Sequence, residues 1–400
     1  MVAARGRPGA GTNQDAIRRH NLVTLLAHLH RYGQLSRAEL TTHMGLNRST
    51  IAALVGELEA LGAVRQTAPS GVRAGVGRPS LDVQPDPARV HVLACEVRVE
   101  DITVARVGLG GEVVARTVAP TPASRTAEDV AAQTAVLMRS LSEQGSVPVG
   151  VGVSVPGIVS QSDGLVRSAP NLHWTDAPFA RLLSEALGAA LEPVVANDAD
   201  VGAWAEHVRG EYDNLVFLNG DVGVGGGVVA AGAPLRGAGG YAGEVGHVTV
   251  SPGGRLCRCG SRGCWETEVG TSAIATALCQ ADADQAELVR GLRKVRHPGP
   301  ELAEVGTALG RGLANVINML NPERIVLGGI LGELYPAVRQ AADAALEEAV
   351  LVPHHQQVRI VLPCLGHDTI LMGAAELAFQ DMFADPVAVL TACLASRRPA

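Results

Sequence analysis

Between Gly243 and Glu266 the chain concentrates a histidine, three cysteines and two carboxylates in a stretch laden with glycine. The order is Gly243-Glu244-Val245-Gly246-His247, then Cys257-Arg258-Cys259-Gly260, then Cys264-Trp265-Glu266. One imidazole and three thiolates, spaced His-x9-Cys-x-Cys-x4-Cys, offer four donors of the kind a tetrahedral zinc takes. The Cys-x-Cys step is tighter than the roughly two to four intervening residues of zinc fingers, so the pattern predicts a structural zinc inside a larger domain. Scattered thiols without a common ligand are the alternative, and three within eight positions argue against it. A disulfide pair would suit an exported chain, which nothing in the sequence suggests.

Four hundred residues exceed one ordinary core, so two or three domains are expected. Hydrophobic residues make up 47% of the chain but aromatics only 3%, which leaves Ala, Val and Leu packed around many glycines, as in α/β proteins. Charge is uneven. Residues 1–90 hold eleven arginines against six acids, a balance of +5, which leaves −12 for the remainder of a chain of net −7. A basic head on an acidic body predicts a nucleic-acid module joined to a domain with another partner. No run of about 20 apolar residues exists, so no membrane partner is expected. The Arg- and Gly-rich start, Met1 to Thr12, has no apolar signal core. With seven cysteines this points to a reducing, cytoplasmic setting. Cys95, Cys279, Cys364 and Cys393 lie among apolar residues and read as buried small hydrophobes.

Residues 1–13 read as a disordered lead and 14–86 as a winged helix-turn-helix that binds double-stranded operator DNA. Ala16 to Leu29 carries a helical face of Ile17, Leu22, Leu25, Leu26 and Leu29, stopped by Gly33. Ser36-Arg37-Ala38-Glu39 is a capping box opening a short helix that ends near Gly45. Asn47 caps a third helix with the stripe Ile51, Leu54, Val55, Leu58 and Leu61, and Gly62 ends it. Because that stripe begins at Ile51, Asn47, Arg48, Ser49 and Thr50 stand at the exposed end, where recognition helices meet base edges. Arg pairs with guanine and Asn with adenine, while Ser and Thr hydroxyls suit phosphates. Arg37, opening the second helix, joins these candidates. Ala63 to Thr67 and Ser80 to Gln84 alternate as a hairpin whose basic tip places Arg73 and Arg78 to track phosphate or enter a minor groove. A packing module of three helices is the bland alternative; cap, turn, polar reader and basic wing in sequence argue against it.

From Val90 the pattern changes. Val90 to Val99, Ile102 to Val107 and Glu112 to Val118 read as a meander, followed by a helix from Ala127 to Leu141 and a strand from Val147 to Val155. A helix over Pro178 to Gly188 precedes the strand Pro193 to Ala196, which runs into Asn197-Asp198 and a helix through Glu206. The style then restarts: strand Leu215 to Leu218, a Gly-rich turn at Gly223 to Gly227, strand Val228 to Ala231, helix Leu302 to Leu320 and strand Arg324 to Leu327. The segment Ala281 to Pro300 is polar, a solvent-side helix and loop. These are two α/β lobes, a sheet with helices in each. Lobe 1 spans about 90–206 plus a C-terminal helix near Pro386 to Ala395, and lobe 2 about 207–380.

Six motifs together resemble the ROK family, which unites repressors and sugar kinases on an actin-like, hexokinase-like fold. They are Gly152-Val153-Ser154-Val155-Pro156-Gly157, Ala169-Pro170-Asn171-Leu172, Asn197-Asp198-Ala199, Ala242 through His247, Cys257 through Glu266, and Leu320-Asn321-Pro322 leading to Gly328-Gly329. The resemblance runs over residues 90–400 and, because the repressor branch carries a winged head, nearly the whole chain. It implies a monosaccharide or sugar-phosphate effector held by Asn171, Asn197, Asp198, Glu244, His247 and Glu266. Residue chemistry agrees, since amides and carboxylates donate and accept toward hydroxyls at once. From spacing alone, Asn197 and Asp198 read equally as a helix cap and Glu266 as a surface carboxylate. The zinc ligands are then His247, Cys257, Cys259 and Cys264, with the second nitrogen of His247 turned to the sugar.

Family kinases carry an Asp-x-Gly-Gly-Thr-like phosphate loop where this chain has Glu96-Val97-Arg98-Val99-Glu100. Asp198 takes the position of the family's general base, a role left vestigial without a held phosphoryl donor. The expectation is therefore a repressor of carbohydrate metabolism, not an enzyme, acting as a homodimer or homotetramer. An active ATP-dependent sugar kinase with a fused DNA-binding head is the alternative.

Overall fold

The computed structural model describes residues 14–69, 80–142, 147–160, 163–189, 191–351 and 357–396. The predicted lead at 1–13 and the wing-tip arginines Arg73 and Arg78 lie outside the described residues. Three helices open the chain: α1 (Gln14–Tyr32), α2 (Arg37–Met44) and α3 (Arg48–Ala60). The capping box forms as expected: the Glu39 amide donates to the Ser36 hydroxyl at 3.2 Å, and the Ser36 amide to the Glu39 carboxylate at 2.7 Å. Gly45 closes α2 with φ 64, the left-handed cap that glycine adopts without strain. Strand β1 (Leu35–Ser36) pairs with β3 (Asp82–Pro85), which pairs antiparallel with β2 (Val64–Thr67). Leu22, Leu25, Leu26, Leu29, Leu40, Ile51, Val55 and Leu58 form the buried centre of this head. Ile17, expected on the same face, is 50% exposed; it sits a turn before the helix reaches the core.

The first sheet takes β4 (His91–Val97), β5 (Asp101–Gly108), β6 (Val113–Pro120), β7 (Val151–Val155) and β11 (Pro193–Asn197) in the order β11-β7-β4-β5-β6. Helices α4 (Ala127–Ser140) and α5 (Phe179–Ala186) lie against one another, and a small antiparallel sheet of β8 (Ile158–Ser160), β9 (Leu165–Ala169) and β10 (Trp174–Ala177) sits beside β11. Helix α6 (Asp198–Gly210) leads to the second sheet: β12 (Leu215–Gly220), β13 (Val224–Ala230), β14 (Ala233–Pro234), β15 (Arg324–Gly329) and β16 (Arg359–Val361), ordered β14-β13-β12-β15-β16. Both sheets share one plan. The first strand lies central, an antiparallel meander grows on one side, and two parallel strands add on the other. This repeat is what the restart of pattern at Leu215 anticipates.

Four differences from the sequence reading have physical causes. Gly225, Gly226 and Gly227 belong to strand β13 and not to a turn. A Cβ on Gly227 would stand 2.1 Å from the Ala199 carbonyl oxygen, and one on Gly226 2.6 Å from that of Gly243, so the glycines let backbone meet backbone. Next, α12 (Thr369–Ala378), which the reading put in lobe 2, packs on β4 and β7 of the first sheet and on α6. Third, after α13 (Gln380–Ala384), the terminal helix α14 (Pro386–Ser396) lies on α13 and on α1 of the head. Finally, of the four remaining thiols, Cys95 is buried but Cys279 and Cys364 are exposed and Cys393 is half-buried.

The head does not hang from a linker. Its leucines run into one apolar cluster with Val92, Ala94 and Val107 of the first sheet, Leu371 and Phe379, Met382 of α13 and Leu390 of α14. Burial of this kind, roughly 1.5–3 kcal/mol per large side chain, fixes a mount.

Candidate ligand cleft and metal centre

At the end of β11 the chain turns directly into α6, and this junction carries the first group of candidate ligand residues. Asn197 is the helix cap, its Oδ1 accepting from the amides of Ala199 at 2.8 Å and Asp200 at 3.2 Å, while its Nδ2 donates to the Gly157 carbonyl at 2.8 Å. The alternative reading of Asn197 as a cap is therefore realised. Its side chain ties the Pro156-Gly157 turn to the helix. Asp198 follows, half-buried, its Oδ2 accepting from Asn219 Nδ2 at 2.9 Å and its Oδ1 from the Ala199 amide at 2.9 Å. Asn219 lies on β12, so this bond joins the two lobes. Burial, reinforced by Asp221, pushes the Asp198 carboxyl up to about 6, with the Asn219 bond working against it.

The Gly243–Glu266 stretch carries the second group. Gly246 lies so close to β13 that a Cβ would meet the Val224 carbonyl at 2.1 Å, which fixes Glu244 and His247 against the strand. His247 Nε2 faces Glu244 at 3.9 Å, and its Nδ1 faces Glu266 at 3.7 Å and Cys257 Sγ at 3.7 Å. Glu266, on α7 (Trp265–Val269), accepts from the Cys257 thiol at 2.9 Å and approaches Gly223, where a Cβ would lie 2.2 Å from its Oε2. Arg258 of the cysteine loop donates to the Asn171 side chain. Glu244, His247 and Glu266 thus converge, with Asn171 joined through Arg258, and Asp200, which feels both Asp198 and Glu244, links this group to the start of α6.

The four donors of His247, Cys257, Cys259 and Cys264 lie within 4.8 Å of one another, and the Cys259–Cys264 sulfurs are 3.6 Å apart. A zinc–sulfur distance of about 2.3 Å gives a tetrahedral edge of about 3.8 Å, so the set fits that ion. The Ser261 amide and the Cys257 side chain hold the Cys259 thiol down at about 7, while burial pushes Cys257 and Cys264 up. Cys259 is the most readily ionised of the three thiols, and a metal held there would take all three as thiolates.

Sequence reasoning missed three participants. Asp200, half-buried in the first turn of α6, is driven up to about 7 by burial, then by Asp198 and Glu244, with Arg236 opposing. It stands one helical turn from Asn197 in the same motif. Asn219 and Arg258 are placed only by tertiary contact. A group whose folded pKa is raised stabilises the fold below its unfolded value and loses that contribution as pH rises through the folded one. The ligand-free protein is accordingly expected to lose melting temperature between about pH 4 and pH 7 from Asp200. Asp200→Asn should raise the melting temperature by a few degrees at pH 8 and flatten this slope, read by calorimetry across pH.

In the head, the Asn47 side chain caps α3, accepting from the Thr50 amide at 2.8 Å, the Ser49 hydroxyl at 2.7 Å and the Thr50 hydroxyl at 3.0 Å. Asn47, Arg48 and Ser49 are exposed, and Arg37 and Thr50 half-buried. No helix among the described residues is long and apolar enough to cross a membrane.

A model of the ROK family matches residues 92–381. The chain belongs to the ROK family. Among its relatives, the xylose repressor of Bacillus subtilis (strain 168) is 25% identical over 384 residues, covering 94% of this chain and 98% of the repressor. A glucokinase of Halalkalibacterium halodurans is 32% identical over 261 residues, covering 58% of this ROK chain and 76% of the kinase. Among solved structures, a ROK family transcriptional regulator, homolog of the E. coli MLC protein, superposes with a TM-score of 0.73 at 23% identity. It covers 95% of this chain and 99% of the regulator. The repressor likeness thus runs nearly end to end, head included, and the kinase likeness over 58% to 72% of the chain.

Proposed function

We propose that this ROK protein is a sugar-responsive transcriptional repressor of carbohydrate metabolism, reading double-stranded operator DNA as a two-fold assembly. The observation that carries the reading is the end-to-end likeness to a xylose repressor, in a chain whose head shares one core with its ROK domain. The sugar lies in the cleft against Asn171, Asp198, Glu244, His247 and Glu266, with Asn197 and Asp200 shaping its floor. Zinc on His247, Cys257, Cys259 and Cys264 holds the cleft wall in place and presents the second ring nitrogen of His247 to the sugar; it touches no reacting atom. A sugar that favours one lobe arrangement shifts the population of head arrangements by its difference in affinity for the two.

The residues around the former phosphate loop support a role without phosphotransfer. Arg98 is bound to Asp101 at 2.7 Å. Glu96 is pushed up to about 7 by burial, against the pull of Arg98, with Asp198, Asp101 and Asp221 adding to the rise. A triphosphate entering there would meet Glu96, Asp198 and Asp221 across from a guanidinium already paired. A coupled assay of ATP consumption over common hexoses and pentoses is expected to give no turnover; rates of about 1 per second or more would establish the kinase reading instead.

Operator DNA can be selected from a random duplex pool on the purified protein. At least one of D-xylose, D-glucose, N-acetyl-D-glucosamine and glucose 6-phosphate is then expected to change its affinity by about fivefold or more. A panel without effect would sink the reading. Arg48→Ala should cost about 1–3 kcal/mol on the selected site and little on scrambled DNA, measured by fluorescence anisotropy at fixed salt. Equal losses on both would remove Arg48 from base reading.

A further inference from the structure

The C-terminal end of α6 meets the head in a buried polar knot that the sugar and DNA sites do not account for. His30 of α1 and Glu376 of α12 are 2% and 4% exposed, and His30 Nε2 stands 2.8 Å from Glu376 Oε2. The Gly110 amide donates to His30 Nδ1 at 3.0 Å, and Nε2 lies between Glu376 Oε2 and Arg209 Nη2, the latter at 2.9 Å. Arg209, the penultimate residue of α6, donates from Nη2 to Glu376 Oε1 at 2.7 Å and from Nη1 to the His30 carbonyl at 2.6 Å. Phe379 and Phe383 flank the His30 ring, each with centroids 5.1 Å away. Within the next two residues, Tyr32 donates to Glu211, the cap of α6, at 2.7 Å, and Arg31 pairs with the same carboxylate at 3.2 Å. The end of α1 therefore grips the end of α6.

The other end of α6 belongs to the cleft. Asp198 is its first residue and is bonded to Asn219 of the second sheet. A Cβ on Gly202 would stand 2.4 Å from the Phe217 ring of β12, and the Ala199 carbonyl rests on Gly227 of β13. The first half of the helix is thus seated on lobe 2. Its flank is locked to α12, where a Cβ on Gly373 would stand 2.0 Å from the Val201 carbonyl. Asp198 and Arg209 are eleven residues apart, about 17 Å along a helix of 1.5 Å rise. A hydrogen-bonded helix transmits displacement along its axis with little loss, because close-packed elements shift between discrete seatings.

We propose that α6 is the coupling rod between effector and DNA: a ligand-driven shift of lobe 2 moves its N-terminus at Asp198, and the Arg209–His30–Glu376 knot hands that shift to α1 and so to the reading helix. This rests on the cleft being the sugar site. The knot is where coupling is separable from binding, because none of its three side chains reaches the cleft or the exposed end of α3.

The test is hydrogen–deuterium exchange by mass spectrometry on the full chain, with and without the four-sugar panel named above. Arg209→Met/Glu376→Gln removes both charges at once, so neither is left buried alone. In the parent, the active sugar should slow exchange in the 243–266 peptide and alter it in α1. In the double variant, the 243–266 response should remain, the α1 response should vanish, and sugar-free α1 should exchange about tenfold faster. Arg209→Lys, which keeps the charge, should give an α1 response between the two. An α1 response of parental size in the double variant would overturn the coupling role. So would a parent that responds in the cleft alone. A panel that protects nothing at 243–266 would instead strike the sugar reading itself, and the rod with it.

Discussion

Cys259→Ser should lower zinc from near one ion per chain to below about 0.2 and abolish the sugar response, while the N-terminal head should still bind DNA. Structural zinc sites contribute on the order of 10 kcal/mol to the segment they close. The segment here is the whole wall that carries Glu244, His247 and Glu266. Cys259 is the test position because its thiol is held down at about 7, so it is the first thiolate a metal meets, and its side chain is exposed. Serine there leaves a hydroxyl that stays protonated and binds zinc poorly. The head draws its stability from a separate apolar cluster, so its affinity for a selected operator should change less than threefold or so. Metal analysis by plasma mass spectrometry, with anisotropy on the same preparation, reads both. Full zinc occupancy in the variant would mean that Cys259 is not one of the ion's ligands. Normal occupancy with lost response would place Cys259 elsewhere in the mechanism.

What was legible in the sequence follows the range of the interactions involved. Ser36-Arg37-Ala38-Glu39, Asn47 and Gly45 signal themselves through contacts a few residues long, and each does in the structure what its local chemistry demands. The His–Cys cluster is legible for the same reason, since its donors are brought within reach by two tight turns of one loop. The glycines at 225–227 misled because their reason is remote: α6 and the Gly243 segment approach from elsewhere in the chain, and a strand needing bare backbone looks, in sequence, like a turn. The placement of α12 between the first sheet and α6 was hidden likewise, because Gly152 and Gly373 each accommodate a carbonyl more than 150 residues away. Arg209, His30 and Glu376 lie on three helices, 167 and 346 residues apart along the two bonded pairs, and no periodicity joins them. Asp200 is a different failure. It lies in the same motif, but an acid in a helix's first turn is ordinary dipole chemistry, and only the tertiary closeness of Asp198 and Glu244 marks it.

Asp198→Ala should weaken sugar binding by about 100-fold while leaving zinc content and operator affinity without sugar unchanged. The carboxylate stands where the two lobes meet. It accepts from Asn219 on one side, and a bound hydroxyl replaces water on the other. Alanine removes a charge-assisted acceptor and leaves the Asn219 amide with an unmatched donor, losses of about 1.5–3 kcal/mol each. Asp198→Asn is the sharper comparison. It keeps the volume and one acceptor, turns an anion into a neutral amide, and resembles the protonated acid. If the carboxylate's task is to accept a hydroxyl proton in a hydrogen bond, the amide should recover part of the affinity and lose its dependence on pH around 6. That dependence has a fixed sign: the parent should bind sugar more weakly as pH falls through about 6, where burial and Asp221 place the titration of Asp198. Isothermal titration from pH 5 to 8 on parent, Asp198→Ala and Asp198→Asn separates the cases. A parent whose affinity is flat across that range, with Asp198→Ala binding as tightly, would move the sugar off α6 altogether, and the coupling rod would have nothing to read.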